Sequence, residues 1–254
     1  MKISAVIITK NEEDNIKDCL DSLGFADEII VVDAESTDKT VAVAKRLSAK
    51  IFVRKWDNFA NQKNFGISKA KNKWILSIDA DERVSKELRR EISFLKFDKD
   101  GYLMPVKNYF LGKWLKHGGQ YPDYHLRLFN RSKGKFESRV KQVHEGVFLK
   151  NGSTAKLKSD IIHYSYKNIA GYFEKFNNYT YLDARGRFEN GVKPSFYGIF
   201  LRPLFRFIKW YKLKLGFLDG VQGLVFHALS AFYVFVSEVK LLEMNKFKGL
   251  KWRT

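Results

Sequence analysis

Apolar residues in the first hundred positions recur with two periods in alternation. An unbroken run at Ile3–Thr9 is closed by the polar Lys10-Asn11-Glu12-Glu13, the pattern of a buried strand and a turn. Over residues 15–23 the apolar positions are Ile16, Cys19, Leu20 and Leu23, spaced i, i+3, i+4, i+7 as on one helix face, with Gly24 placed to cap it. A second run at 28–32 ends on Asp33, and Ser36-Thr37-Asp38 offers N-cap chemistry for a helix to about residue 49. The same reading gives a strand at Lys50–Val53, a helix over 58–70, a strand over 74–78 and a helix from Ser85 to about residue 95. Strands and helices alternating in this way predict an α/β fold, a mostly parallel sheet with helices on both faces. Such sheets bind ligands at the carboxyl ends of their strands, where Thr9, Asp33, Asp79 and Asp81 fall.

From residue 102 to about 166 the chain reads as short strands and loops rich in glycine, histidine and aromatics; beyond Lys167 it changes to long helical patterns dense in aromatics. The expected division is therefore an α/β domain over 1–166 and a helical, basic and aromatic region over 167–254. Between residues 202 and 214 lie five basic residues and no acid. On a helix Leu204, Phe207, Ile208, Tyr211 and Leu215 share one face, with Arg202, Arg206 and Lys209 opposite. The eighteen residues 220–237 carry no formal charge, but Gln222, His227, Ser230 and Ser237 dilute them. That length is at the lower limit for a span, so an interfacial or protein-packed hairpin is expected instead. A basic amphipathic helix rich in aromatics suits an anionic membrane surface; packing on the domain over 1–166 is the plainer alternative.

Composition narrows the partners. The 254 residues carry 46 basic and 28 acidic side chains, a net charge of +18, which suits nucleic acid, anionic lipid or phosphorylated small molecules. With 22 Phe, 12 Tyr and 5 Trp, a stacking nucleic-acid reader is a candidate, but carboxylates gathered at strand ends would repel a phosphodiester backbone. No nucleic-acid partner is expected. The single cysteine, Cys19, excludes an internal disulfide framework and suits a reducing cytosol. Met1-Lys2 leads straight into an apolar run too short for a signal peptide.

The candidate chemistry centres on Trp74-Ile75-Leu76-Ser77-Ile78-Asp79-Ala80-Asp81-Glu82, an apolar run ending in two acids at i, i+2. On a strand these face the same way and reach one divalent cation, a hard ion that takes oxygen ligands. Asp33 is placed to hold a ribose or base, or simply serves as a turn or helix-start charge. Lys63, within Gln62-Lys63-Asn64, is placed to meet phosphate or is merely solvated. No G-x-G-x-x-G follows the first strand and no G-x-x-x-x-G-K-[ST] occurs, which argues against dinucleotide oxidoreductases and P-loop NTPases.

These residues together resemble the inverting family 2 glycosyltransferases of nucleotide-sugar (GT-A, Rossmann-like) fold, with a closer likeness to the β-1,4-glucosyltransferases that act on the heptose of the lipopolysaccharide inner core. The likeness runs through Val6-Ile7-Ile8-Thr9-Lys10-Asn11-Glu12, Asp27-Glu28-Ile29-Ile30-Val31-Val32-Asp33 with Ser36-Thr37-Asp38, and Leu76 to Arg83. It continues in Leu111-Gly112-Lys113-Trp114, His117-Gly118-Gly119, Tyr121-Pro122-Asp123, Leu126-Arg127-Leu128-Phe129, Val143-His144-Glu145 and Ile162-His163-Tyr164-Ser165-Tyr166. Leu201-Arg202-Pro203-Leu204 and Leu215-Gly216-Phe217-Leu218-Asp219-Gly220 close the series. One departure is Glu35, where many relatives carry a small residue.

The resemblance implies a GT-A catalytic domain with a C-terminal helical, membrane-associating extension. It implies hexose transfer, with glucose the expected sugar, from a UDP-sugar to a lipid-linked acceptor on the cytoplasmic face of the inner membrane. The lipopolysaccharide inner core is the expected acceptor; a capsule or exopolysaccharide intermediate or a glycoprotein is the alternative. Donor binding then falls to Thr9, Asn11, Glu12, Asp33, Lys63 and Asp79. Asp79 and Asp81, with Asp81 the more direct ligand, and the late His163 hold Mg²⁺ or Mn²⁺. A carboxylate must also take the acceptor proton; Glu145 is preferred and Asp123 is the second candidate. His117 and His125 receive no role.

Overall fold

A computed structural model describes residues 1–137, 146–166 and 168–247. In chain order it contains β1 (Ile3–Thr9), α1 (Ile16–Ser22), β2 (Glu28–Asp33), α2 (Thr40–Arg46), β3 (Lys50–Val53), α3 (Phe59–Lys69), β4 (Trp74–Asp79), β5 (Glu82–Val84), α4 (Lys86–Ser93), β6 (Gly101–Phe110), β7 (Lys113–Trp114) and β8 (Asp123–Asn130). There follow β9 (Gly134–Glu137), β10 (Gly146–Leu149), β11 (Thr154–Lys156), β12 (Ile161–Tyr166), α5 (Ile169–Glu189), α6 (Arg202–Phe207) and α7 (Gly220–Lys246).

The main sheet runs β3-β2-β1-β4-β8-β6-β12-β5. Its first four strands are parallel, and β8 joins β4 antiparallel. β1 is buried along its whole length and β2 and β4 along most of theirs, which is why they read as continuous apolar runs. The order 3-2-1-4 reverses direction at β1, the place where an open α/β sheet opens a crevice for a ligand. Register puts Thr9 beside Asp33 and Ile8 beside Asp79, so residues from three separate strands finish within one position of one another.

Several local expectations differ. Helix α2 starts at Thr40, not at the Ser36-Thr37-Asp38 cap, and its N-cap Lys39 makes no side-chain bond; those three residues tie two loops together instead. Gly24 is not left-handed, and α1 closes on Leu23. Asn58 and Ser85 do cap α3 and α4, accepting from Asn61 N and Leu88 N. The three-residue β5 went unread, being shorter than any period can show. Cys19 is fully buried, and burial pushes its thiol well up, so it is a packed core residue.

The chain separates into two compact units. The first takes Met1–Asn108 and, among later described residues, 122–137 and 146–165; the second takes Tyr109–Tyr121 and 166–247. Within the second unit α5 buries Tyr172, Phe176, Thr180 and Ala184, one residue per turn on a single stripe. Against it lies α7, one continuous helix and not the expected hairpin. Phe232 stacks on Phe176, Lys240 reaches Thr180, and Leu241 packs with Ala184.

Helix α7 buries His227, Ser237 and Glu238 alongside Val234, Leu241 and Met244, while Val221 (71% exposed), Leu224, Phe232, Val239 and Leu242 face outward. The Glu238 carboxylate accepts Arg187 of α5 at 2.7 Å and Arg202 of α6 at 2.8 Å, and a Cβ on Gly198 would press into it. The expected single face over 204–215 is broken: a π-helical stretch Ile208–Leu213 follows α6, and Leu215 turns left-handed at φ 60°. Each π turn advances the side chains out of step with a 3.6-residue period. Leu204, Phe205, Leu213, Leu215, Phe217 and Leu218 are all exposed.

Candidate active site

The turns after β1 and β2 hold one another. Asn11 N donates to Ser36 Oγ (2.8 Å), and Thr37 N returns a bond to Asn11 Oδ1 (2.9 Å). Glu12 N donates to Thr40 Oγ1, Glu13 N to Asp38 Oδ2, and Lys39 N to Glu13 Oε2. Asp33 is buried and accepts both the amide and the hydroxyl of Ser36. Two non-glycine residues in these turns are left-handed, Asn11 at φ 53° and Glu35 at φ 57°. Asparagine tolerates that region; at Glu35 it gives a physical reason for a smaller residue.

Strand β4 ends at Asp79, and Ala80-Asp81 form a turn into β5. The alternation that would put both acids on one face therefore stops, and they meet different partners. Asp79 Oδ1 pairs with Lys63 Nζ at 2.9 Å and Oδ2 with Arg127 Nη1 at 3.3 Å. Burial alone would raise the Asp79 carboxyl; Lys63 and Arg127 outweigh it and hold the group well below the usual carboxylate range. Lys63 is itself buried, 5.0 Å from the Phe136 ring centroid. Arg127 also pairs with Glu82 at 2.5 Å, and burial keeps Glu82 above its ordinary value.

Asp81 Oδ2 lies 3.4 Å from His163 Nε2. The contact follows from β5 pairing with β12, which sets His163 opposite Glu82. Asn108 Oδ1 at 2.9 Å and Ser165 Oγ at 3.1 Å hold His163 Nδ1, leaving Nε2 for the carboxylate. Burial would lower the imidazole, and Asp81, Glu82 and Asp79 more than offset it, so the ring holds its proton more firmly than a free histidine. One carboxylate oxygen and one imidazole nitrogen that already converge fit a divalent cation. Among the described residues no group of three or more His, Cys, Asp or Glu is arranged to hold one, so further ligands would come from a bound phosphate and water.

The base candidates are placed differently. Asp123, at the start of β8, is about half exposed (48%) and pairs with His125 at 2.8 Å. Glu145 lies outside the described residues. Sequence reasoning passed over Arg127, Glu82 and Asn108. An arginine between Leu126 and Leu128 on an apolar strand was the available signal, since a buried guanidinium needs buried acids.

A parallel-sheet switch point with acids at the strand ends is where open α/β folds of the GT-A kind hold their ligands. Residues 4–154 match the family model described as "Glycosyl transferase family 2", and the chain belongs to that family and is a glycosyltransferase. An uncharacterized glycosyltransferase of Rickettsia bellii is 36% identical, covering 96% of this chain and 87% of its own. The lipopolysaccharide core biosynthesis glycosyltransferase LpsC of Rhizobium meliloti is 28% identical over 98% of this chain and 95% of its own. Among solved structures, Staphylococcus aureus TarS residues 1–349 align over all of this chain and 93% of theirs, with 15% identity and a TM-score of 0.47.

Proposed function

We propose that this enzyme moves a hexose, glucose by preference, from a UDP-sugar to a lipid-linked acceptor by a single inverting displacement. The observation that carries the reading is the gathering of Thr9, Asp33 and Asp79 at three adjacent strand ends, within one register position, with Asp81 turned onto His163 just beyond. Asp33 and the interlocked turn of Thr9, Asn11 and Glu12 would receive the uridine. Asp81 and His163 would hold Mg²⁺ or Mn²⁺, with Asp79 behind them, its charge balanced by Lys63 and Arg127. When bound, the metal acts as a Lewis acid on the departing diphosphate. Lys63 adds positive charge to the same region through its pair with Asp79. The acceptor's proton goes to a carboxylate on the opposite side of the sugar, Glu145 before Asp123, whose carboxylate is engaged by His125.

The acceptor we assign is the lipopolysaccharide inner core, supported by the printed role of the LpsC relative. Work at the cytoplasmic face of an anionic membrane is supported by the polarity of the second unit. Helix α7 leaves Val221, Leu224, Phe232, Val239 and Leu242 exposed, and Phe196, Phe200, Leu204, Phe205 and Leu213 are exposed beside Arg202, Lys209, Lys212 and Lys214. Apolar surface on this scale marks an interaction site. Helix α7 is long and apolar enough to cross a bilayer, but it lies along α5, which carries Glu174, Lys175, Asp183, Arg185 and Arg187. Both helices therefore belong at the interface and not across it.

The test is UDP release over a panel of UDP- and GDP-sugars, with and without Mn²⁺. Asp81→Ala is expected to lose a thousandfold or more in rate while staying folded. Glu145→Gln is expected to lose turnover but keep UDP-sugar binding, with Asp123→Asn milder; the reverse order moves the base to Asp123. Sedimentation with anionic vesicles at low salt, weakened by high salt and lost on truncation after Lys193, checks the membrane assignment. If no nucleotide sugar is bound or turned over, the reading fails.

A further inference from the structure

The run Asp79-Ala80-Asp81-Glu82-Arg83 ends on a basic residue that the donor site leaves without a role. Arg83 lies on β5 and is 9% exposed. A guanidinium that deep needs acceptors for its donors. The carboxylate it pairs with, Asp18 at 3.8 Å, is itself exposed and holds it weakly. The shorter bonds go to the backbone. Arg83 Nη1 donates to Ala80 O at 3.1 Å and to Glu82 O at 3.0 Å, the carbonyls on either side of Asp81. The carbonyl of Asp81 accepts Tyr164 N at 3.0 Å, and the guanidinium lies 5.7 Å from the centroid of the Tyr164 ring. Three successive carbonyls around the turn are therefore held, two of them by one side chain.

The guanidinium also reaches the turn after β1. Its Nη2 donates to Asn15 Oδ1 at 3.3 Å, and Asn15 Nδ2 donates in turn to Glu12 Oε2 at 2.6 Å. Asn15 stands at the N-cap of α1, where asparagine is among the preferred residues, yet its side chain makes no capping bond. It is buried and bridges Glu12 to Arg83 instead. Side-chain bonds thus run without a break from the turn after β1 to the turn after β4.

A metal ligand carried on a turn keeps its aim only when that turn is fixed to about 0.5 Å. We infer that Arg83 is the positioning residue for Asp81. Its fork clamps the backbone so that the carboxylate meets His163, and Asn15 ties the clamp to the turn of Glu12. The inference rests on the transferase reading and the divalent site proposed above, and deepens them by naming what aims the ligand. Arg83 acts only through Asp81. A lysine would keep the charge but lacks the planar fork that spans two carbonyls and an amide.

The test is calorimetric titration of the full-length protein with UDP, once in EDTA and once in Mn²⁺, with circular dichroism to confirm folding. The ratio of the two affinities isolates what the metal adds. In the wild type Mn²⁺ should tighten UDP by about tenfold or more, and Arg83→Met should lose most of that gain. Its affinity in EDTA should stay within about twofold of wild type, because the fork serves the metal ligand and not the nucleotide. Arg83→Lys should fall between the two, and Asp18→Ala should match the wild type in both titrations. Should Arg83→Met fail to fold, Arg83→Lys carries the test, with a smaller loss in the same direction. A full metal gain in a folded Arg83 variant overturns the inference. So does an equal loss in EDTA and in Mn²⁺, which is what a residue that only holds the fold would give. In both cases wild-type UDP binding tightened by Mn²⁺ leaves the transferase reading standing. A wild type that binds UDP equally with and without Mn²⁺ removes the metal site and this inference together, and one that binds no UDP removes the transferase reading itself.

Discussion

Replacing Arg127 by methionine tests the buried charge cluster behind the strand-end acids. The guanidinium lies 3.3 Å from Asp79 and 2.5 Å from Glu82, with its own side chain 11% exposed and that of Glu82 1%. At an effective dielectric of about 20, unit charges 3.3 Å apart attract by about 5 kcal/mol. Desolvation of the ions works against this, so the intact cluster adds little. Removing one partner is different, because Glu82 is then a buried charge without its cation, a loss of about 3–5 kcal/mol. Against a total stability of roughly 5–15 kcal/mol that is severe, and it lowers the thermal midpoint by about 6–20 °C. The penalty also depends on pH. Burial already raises the Glu82 carboxyl, Asp79 adds to the rise, and Arg127 opposes it, so losing Arg127 raises it further. An acid raised in the folded state withdraws stability above its unfolded value and returns it as pH falls through the folded one. The gap between wild type and Arg127→Met should therefore narrow from pH 8 to pH 5, and Arg127→Met with Glu82→Gln should recover much of the loss. Calorimetry across that range decides: an unchanged midpoint at pH 7.5, or a gap constant with pH, would refute the argument.

Three further outcomes are expected. Glu35→Gly should raise the thermal midpoint by a few degrees, because a left-handed non-glycine residue costs about 1–2 kcal/mol and the added chain entropy of glycine offsets only part of the relief; a lower midpoint would mean the side chain holds the turn. Burial works to raise the Glu28 carboxyl, but bonds from Lys50, Lys71 and Ser4 outweigh it and lower the group below its ordinary 4.5. Its stabilisation is present above that value and lost as pH falls through the folded one, so unfolding curves of Glu28→Gln and wild type should converge on acidification to about pH 3; a constant difference contradicts the shift. Asp33→Asn should weaken UDP binding on the order of tenfold or more in calorimetric titration, since an amide offers one acceptor oxygen where the carboxylate offers two; unchanged affinity would move the uridine elsewhere.

The fold was legible where burial covers both faces of an element. β1, β2 and β4 are such strands, and their apolar runs stop where the strands stop. The helices expected over 58–70 and from Ser85 begin at those residues, which the Asn58 and Ser85 caps fix through neighbouring residues alone. What escaped depends on distant partners or on small departures from a regular period. Ser36, Thr37 and Asp38 have the composition of a cap, yet the facing turn competes for their oxygens. The shared side of Asp79 and Asp81 failed because the strand ends one residue after Ile78, and alternation has no meaning inside a turn. His163 reaches Asp81 only through pairing of β5 with β12, and His117 reaches Asp219 across 102 residues; neither contact leaves a local trace. The π-helical stretch after α6 shifts each later side chain, so an amphipathic face drawn at 3.6 residues per turn lost its register by Leu215.

If the turns after β1 and β2 receive the nucleotide as proposed, their mutual grip bears on the kinetics of the donor step. Each turn supplies the other's hydrogen-bond partners, Asn11 with Ser36 and Thr37, Glu13 with Asp38 and Lys39, so their ordering is completed during folding and not at encounter with a nucleotide. A ligand that meets a wall already in place gives up little of its binding energy to arranging that wall. Its association is then governed by diffusion and charge steering, and differences in affinity among nucleotides fall on their residence times. On that proposal, donor choice becomes a matter of how long a nucleotide stays.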